Sequence, residues 1–196
     1  MEISVVIPAF NEAKVIKDTV VDIKDFLKNN FSNFEIIVID DKSRDRTLEI
    51  IKSIEGIKVI ANLKNHGKGY SIKKGMKNAK GDLLLFMDAD NSTNISELKN
   101  FLPQIKDNHI VIASRGLEES KVQLSQSVIK KYLGILGNII SRILIDRNIK
   151  DTQCGFKLFR RDVKVIFDKL TIDRFAFDFE LIFLAKKYKF KVKEMP

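Results

Sequence analysis

Two carboxylates one residue apart, Asp88 and Asp90, directly follow the apolar run Leu83–Met87. The run has the length and residue types of a buried strand. Because side chains i and i+2 of an extended chain point the same way, both acids can converge at the strand's carboxyl end. Two hard oxygen ligands there suit Mg²⁺ or Mn²⁺, with the phosphates of a bound ligand supplying further ligands. Taken alone, the pair is more typical of a solvated turn than of a metal site, and the rest of the chain decides against the turn.

The elements that position this pair alternate along the sequence. Strands are predicted at Ile3–Ala9, Phe34–Ile39, Ile57–Ala61, Leu83–Met87 and Ile110–Ser114. Helices are predicted between them: one capped by Asn11, one opened by Ser43 and Asp45, one over Gly69–Lys80 and one capped at Asn94. This alternation predicts a single α/β domain over residues 1–196. We expect a Rossmann-like, three-layer α/β/α fold with a mostly parallel sheet.

Polar side chains cluster where the predicted strands end. They are Asn11 and Glu12, Asp40 and Asp41, Asp88 and Asp90, and Ser114 and Arg115. In open α/β sheets, ligands bind beyond the carboxyl ends of the strands, so these residues are expected to share one site. No Gly-x-Gly-x-x-Gly follows the first strand and no Walker A sequence occurs, which disfavours a dehydrogenase or P-loop enzyme. A nucleotidyltransferase would usually have a glycine-rich, basic loop after its first strand, where this chain has NEAKV.

Length and charge limit the class of protein. A chain of 196 residues with 44% hydrophobic residues can form one soluble core. The net charge of +9 favours an anionic partner: nucleotide phosphates, nucleic acid or an acidic membrane surface. A single cysteine, Cys154, excludes an internal disulfide and favours the cytosol. The start is expected to be a first strand, not a signal peptide, and the end, KFKVKEMP, is expected to be a strand of a longer natural chain.

Seven motifs, in order along nearly the whole chain, resemble those of one enzyme family. They are VVIPAFNEAKVI (5–16), IVIDDKSRDRT (37–47), NHGKGYSIKKG (65–75), MDADNST (87–93), ASRG (113–116), DTQCGFKLFRR (151–161) and FAFDFEL (175–181). Together they resemble the family-2 glycosyltransferases of GT-A fold, and among these the polyprenyl-phosphate (dolichyl-phosphate) sugar transferases. The DTQCGFKLF segment is more similar to the dolichyl-phosphate glucosyltransferase branch than to the mannosyltransferase branch.

The resemblance implies a role for each matching residue. The nucleotide-sugar pocket would comprise Pro8, Ala9, Asn11, Glu12, Asp40, Lys68, Asp88 and Ala89. Asp88 and Asp90 would bind the metal, with Asp90 the main ligand. The acceptor phosphate would be held by Arg115, Gln153, Lys157 and Arg160, and the catalytic residues would be Asp90, Arg115 and Asp178. From the residues alone, Pro8 and Asn11 also fit a strand terminator and a helix cap, and Lys68 also fits a solvated lysine at a helix start.

The implied reaction is transfer of a hexose with inversion, from UDP-glucose or, next in preference, GDP-mannose. A lipid monophosphate acceptor has a second pKa of about 6, so it is largely dianionic at neutral pH and needs no general base. A hydroxyl acceptor must lose a proton, and Asp178 would then be the base. The alternative is therefore a soluble glycosyltransferase that acts on a saccharide or protein hydroxyl.

Residues 122–147 are predicted to form a basic amphipathic helix. Its apolar stripe contains Val128, Ile129, Tyr132, Leu133, Leu136, Ile139, Ile140, Ile143 and Leu144. Such a helix can lie in a membrane interface, or it can pack on the protein's own core. We expect a peripheral protein on the cytosolic face of a membrane. A nucleic-acid-binding module is disfavoured because most of the 14 phenylalanines sit in core-like patterns rather than among basic residues, so no nucleic-acid partner is expected.

Overall fold

The computed structural model describes residues 2–117 and 149–196, and within them a single seven-stranded sheet. The strands are β1 (Glu2–Ala9), β2 (Asn33–Asp40), β3 (Lys58–Ala61), β4 (Leu83–Met87), β5 (Ile110–Ala113), β6 (Phe156–Arg160) and β7 (Val192–Met195). Their order across the sheet is β3-β2-β1-β4-β6-β5-β7. The predicted mostly parallel α/β fold is confirmed.

In the described part of the chain, six α-helices cover the two faces of the sheet. They are α1 (Ile16–Asn30), α2 (Thr47–Lys52), α3 (Lys68–Asn78), α4 (Leu98–Gln104), α5 (Lys164–Lys169) and α6 (Phe177–Lys187). One core cluster joins α1, α2 and α4 to one face, and a second joins α3, α5 and α6 to the other. Strands covered on both faces are apolar throughout, as in β4, where all five residues are buried. The structure thus has the predicted three layers.

The strand β6 is the one antiparallel strand described in the sheet, and it lies between β4 and β5. It pairs Phe156 with Met87 at the carboxyl end of β4 and Arg160 with Leu83 at the other end. This strand lies within the motif DTQCGFKLFRR (151–161), for which no strand was predicted. The predicted carboxyl-terminal strand is β7, which runs parallel to β5.

The predicted helix cap at Asn11 is wrong. Helix α1 begins at Ile16, and Asn11 instead adopts a positive φ of 59°. Its Oδ1 accepts from the Arg44 amide at 2.8 Å and its own amide donates to Ser43 Oγ at 3.0 Å. Asn11 therefore links the loop after β1 to the loop after β2. The cap predicted at Asn94 is confirmed, because its side chain accepts from the Ser96 amide.

The predicted amphipathic helix over 122–147 lies outside the described residues. Among the helices that are described, none has both the length and the apolar character needed to cross a bilayer.

Candidate active site

A cleft with a volume of about 360 Å³ opens beyond the carboxyl ends of β1, β2 and β4. This is the sheet edge at which ligands bind in open α/β folds. Its lining residues are Pro8, Ala9, Phe10, Glu12, Asp41, Asn65, Gly67, Lys68, Ser71, Asp88, Ala89, Asp90, Arg174 and Phe175. Seven predicted nucleotide-sugar or metal residues thus line one cleft together: Pro8, Ala9, Glu12, Lys68, Asp88, Ala89 and Asp90.

Three carboxylates, those of Glu12, Asp88 and Asp90, give the cleft a negative floor. Burial raises the pKa of Glu12, and the nearby charges of Asp90 and Asp88 raise it further. Helix α1 stabilises the turn that contains both aspartates, because the buried hydroxyl of Thr19 donates to the carbonyl of Ala89 at 2.9 Å. Both acids thus lie in the turn that directly follows β4, and both line the cleft.

Two contacts orient the members of this acid pair. Oδ1 of Asp90 accepts from the amide and the hydroxyl of Ser92 at 3.0 and 2.5 Å. Asp88 forms an ion pair with Lys68, whose Nζ lies 2.7 Å from Asp88 Oδ1. Lys68 is the first residue of α3, and its ammonium is largely buried in the cleft. The lysine is thus directed into the site and is not a solvated surface residue.

Asp41 organises the loop that carries Lys68. Its carboxylate accepts from Asn62 Nδ2 at 2.8 Å and from the amides of His66 and Gly67 at 3.0 and 2.7 Å. Asp40, predicted as the nucleotide ligand, is buried, and its oxygens lie 3.3 and 3.4 Å from the Ser43 amide. Within the described chain, Asp41 and not Asp40 lines the cleft. Two adjacent aspartates after a strand point to opposite sides, and the sequence does not reveal which side faces the ligand.

The far wall of the cleft comes from the loop before α6, which sequence reasoning did not place there. Gly67 has φ 107°, and a Cβ added to it would lie 2.7 Å from the carbonyl oxygen of Asp173. The amide of Tyr70 donates to that same oxygen at 3.0 Å. This close approach brings Arg174 and Phe175 to the cleft. The only sequence signal was that Phe175 begins the FAFDFEL motif.

Lys157 and Asp178 form a buried ion pair beneath the cleft. The ammonium of Lys157 donates to Asp178 Oδ1 and, at 2.6 Å, to the carbonyl of Cys154, and no part of Lys157 is exposed. Burial raises the pKa of Asp178, whereas the Lys157 charge opposes that shift. The nitrogens of Lys157 and Lys68 each lie 5.3 Å from the ring centroid of Phe86. As the structure places them, neither Lys157 nor Asp178 reaches the cleft surface.

Arg115 forms a two-pronged ion pair with Asp151. Its Nε and Nη2 lie 2.7 and 3.2 Å from the two carboxylate oxygens, and the Gln153 amide donates to the same carboxylate at 3.1 Å. Burial alone would raise the pKa of the Asp151 carboxyl, but the hydrogen bonds and charge of Arg115 hold it below its usual value. About half of the Arg115 side chain is exposed, so it can still bind an anion.

Arg160 does not join the other predicted acceptor-binding residues. It pairs with Leu83 at the amino end of β4, four residues from Met87 and therefore roughly 13 Å from the edge that carries the acids. Its guanidinium lies 3.5 Å from Asp162 on the surface. The prediction for Arg160 is corrected on these grounds: β6 runs antiparallel, so its carboxyl end points away from the cleft.

Most of the residues that line this cleft lie in a segment that matches a known protein family. Residues 4–167 match the model of glycosyl transferase family 2. The chain belongs to this family. Similar curated proteins are the dolichyl-phosphate beta-glucosyltransferases of Trichomonas vaginalis, 37% identical over 98% of the chain, Drosophila melanogaster, 33% over 100%, and Homo sapiens, 30% over 99%. The chain spans about two thirds of their length, 64%, 66% and 66% respectively.

Solved structures of glycosyltransferases share the GT-A fold of this family-2 chain. A mannosyltransferase from Pyrobaculum calidifontis, solved with GDP-Man and Mn²⁺, has a TM-score of 0.67 at 17% identity, over 99% of this chain and 54% of that one. Glucosyl-3-phosphoglycerate synthase from Mycobacterium tuberculosis, solved with Mn²⁺, UDP and glucosyl-3-phosphoglycerate, has a TM-score of 0.66 at 16% identity, over 98% and 68%. At these identities the likeness establishes the fold.

The donor set of the family-2 cleft fits a divalent cation. Asp88 and Asp90 supply hard oxygen ligands. The pKa of Glu12 is raised first by burial and then by the charges of Asp90 and Asp88, and a cation would offset that negative charge. Within residues 2–117 and 149–196, no group of three or more potential ligand side chains is arranged to hold a metal. The phosphates of a nucleotide would complete the coordination shell, as is common for Mg²⁺.

A methyl group at Gly155 will disturb the acid pair of this family-2 chain. A Cβ added there would lie 2.0 Å from Asp88 Oδ2 and 2.2 Å from its Cγ, so Asp88 must rotate away from Lys68. We expect Gly155→Ala to weaken metal-dependent nucleotide binding about tenfold and to destabilise the fold by about 1–3 kcal/mol. Titration calorimetry and urea denaturation measure the two effects. Gly116→Ala is the matched control, because its Cβ would meet only Lys150, at 3.1 Å; equal binding by both variants would contradict the prediction.

Proposed function

We propose that this chain transfers a hexose, with inversion, from a nucleotide sugar to a polyprenyl or dolichyl phosphate. UDP-glucose is the favoured donor and GDP-mannose the next. The observation that carries the proposal is the cleft in which Glu12, Asp88 and Asp90 meet the ammonium of Lys68. The names of the similar curated proteins support glucose and dolichyl phosphate as donor sugar and acceptor.

Each part of the cleft has a task in this reaction. Breaking the sugar–diphosphate bond leaves negative charge on the departing nucleoside diphosphate, which fixed cationic groups stabilise. A Mg²⁺ or Mn²⁺ ion held by Asp88 and Asp90 would supply such charge. Lys68 would release Asp88 and contact the phosphates, while Asp41 keeps the loop before Lys68 rigid through its three hydrogen bonds.

On the acceptor side, a phosphate needs positive charge more than a base. Arg115 is half exposed and oriented by Asp151, so its remaining donors can hold a lipid phosphate in line with the sugar. A hydroxyl acceptor would need a base, and Asp178 is buried and forms an ion pair with Lys157 through Oδ1. Its contacts favour a positioning role, and with it the phosphate acceptor over the saccharide hydroxyl.

Transfer assays with labelled donors test the proposal. We expect UDP-glucose to label dolichyl phosphate only when Mg²⁺ or Mn²⁺ is present, with GDP-mannose much slower. Chelation by EDTA should stop transfer and readdition of metal should restore it. Labelling of a saccharide or a peptide hydroxyl, with none of the lipid, would support the soluble alternative instead. The lipid acceptor also underlies our proposal that the protein acts peripherally on the cytosolic face of a membrane.

A further inference from the structure

The outward face of helix α6 carries aromatic side chains where a surface helix normally carries polar ones. Its buried side consists of Phe177, Asp178, Leu181, Ile182, Leu184 and Ala185. On the opposite side, Phe183 is 50% exposed and Phe179, four residues earlier, is partly exposed. Residues four apart in a helix lie one above the other, so the two rings form a continuous apolar stripe.

This stripe begins at the mouth of the cleft. One turn before Phe179, Phe175 is 72% exposed and also lines the cleft. Ile172, three residues earlier again, is 38% exposed. Large apolar side chains that are exposed as a group, rather than singly, mark an interaction surface. We call the face formed by Ile172, Phe175, Phe179 and Phe183 the aromatic stripe.

Among the described residues, basic side chains outnumber acidic ones around the aromatic stripe, by three to two. Arg174 is exposed at its start, and Lys186 and Lys187 lie in the last turn of α6. Of the two acids here, Asp173 is exposed beside Arg174, whereas Glu180 is engaged by the backbone, since it accepts from the amides of Thr171 and Ile172 at 2.8 to 3.0 Å. Aromatic rings bordered by basic side chains are the combination that anionic membrane surfaces bind.

We propose that the aromatic stripe of α6 docks on the surface of an anionic lipid bilayer, with the phenylalanines in the headgroup region and Lys187 against lipid phosphates. The reason for docking rests on the proposed function, in which the acceptor is a lipid phosphate that lies in the bilayer. Phe175 belongs to both surfaces, so a bilayer under α6 brings lipid-borne phosphates to the mouth of the cleft. The residues of the aromatic stripe lie outside the segment 122–147, which is predicted from the sequence to contact a membrane.

Vesicle flotation of the full chain tests this docking. The probe is phosphatidylcholine vesicles with phosphatidylserine at about 30 mol %, without donor or dolichyl phosphate. We expect the wild type to float with these vesicles, less so at high salt, because salt screens the lysine–lipid attraction. The double variant Phe179→Ser/Phe183→Ser should bind about tenfold more weakly or worse, because the apolar area inserted in the interface is lost.

Matched controls separate docking from other effects. Val21→Ser removes a 40% exposed apolar side chain from α1, on the other face of the sheet, and should leave flotation unchanged. Thermal denaturation should show that both proteins remain folded. Wild-type protein that fails to float, or a double variant that floats like the wild type, overturns the proposal. The proposal is also overturned if light scattering shows that the wild type and Val21→Ser are dimers and the double variant is a monomer, because the stripe would then be a self-association surface.

This test is independent of the transfer assay. Flotation without hexose transfer would leave the docking surface standing and contradict the proposed function. If the protein transfers hexose to dolichyl phosphate in detergent but does not float, the proposed function is supported and the docking surface is contradicted.

Discussion

Replacing Asp90 by asparagine will lower the rate of hexose transfer by at least about a hundredfold. The amide keeps the oxygen that accepts from Ser92 and therefore the shape of the turn, but it removes the charge that a divalent cation requires. Because Asp90 is exposed in the cleft, the fold should be unaffected. Initial rates at saturating donor, with and without added Mn²⁺, measure the effect.

Asp107→Asn is the matched control for this substitution. It removes an exposed acid just before β5, at the end of the sheet remote from the cleft, and should leave the rate unchanged. Metal-dependent binding of the donor by Asp90→Asn, as tight as that of the wild type, would show that Asp90 does not hold the cation.

Replacing Lys157 by methionine will destabilise the fold by about 3–5 kcal/mol. Methionine fills a similar volume but leaves the carboxylate of Asp178 buried without its counter-charge, and the Cys154 carbonyl without its donor. The midpoint of urea denaturation at neutral pH measures the loss. The double variant Lys157→Met/Asp178→Asn should recover a large part of it, since no net charge then remains in the core.

A surface pair provides the contrast. Arg46 and Glu49 form an ion pair that is mostly exposed, so Arg46→Met should leave the urea midpoint almost unchanged. If Lys157→Met had as small an effect, the Lys157–Asp178 pair could not be the buried interaction that the structure indicates.

Much of the fold was predictable from local sequence pattern. Strands such as Leu83–Met87 are covered by helices on both faces, so they appear in the sequence as unbroken apolar runs. The helices between them show apolar residues at helical spacing. The antiparallel strand β6 was not predicted. The residue types of a run such as Phe156–Arg160 do not show which strands it pairs with or in which direction it runs. Its place between β4 and β5 depends on pairing across the sheet.

The candidate site was likewise predictable from the sequence only in part. The sequence by itself determined the family and the layered fold, and it placed Asp88 and Asp90 directly after β4, at the edge of the sheet where the cleft opens. Only the tertiary structure decided that Lys157 is neutralised by Asp178 in the core, and that Asp41 rather than Asp40 borders the cleft. The type of a charged residue reveals what it can bind. Its partner and its access to solvent depend on segments far away in the chain, which local pattern does not encode.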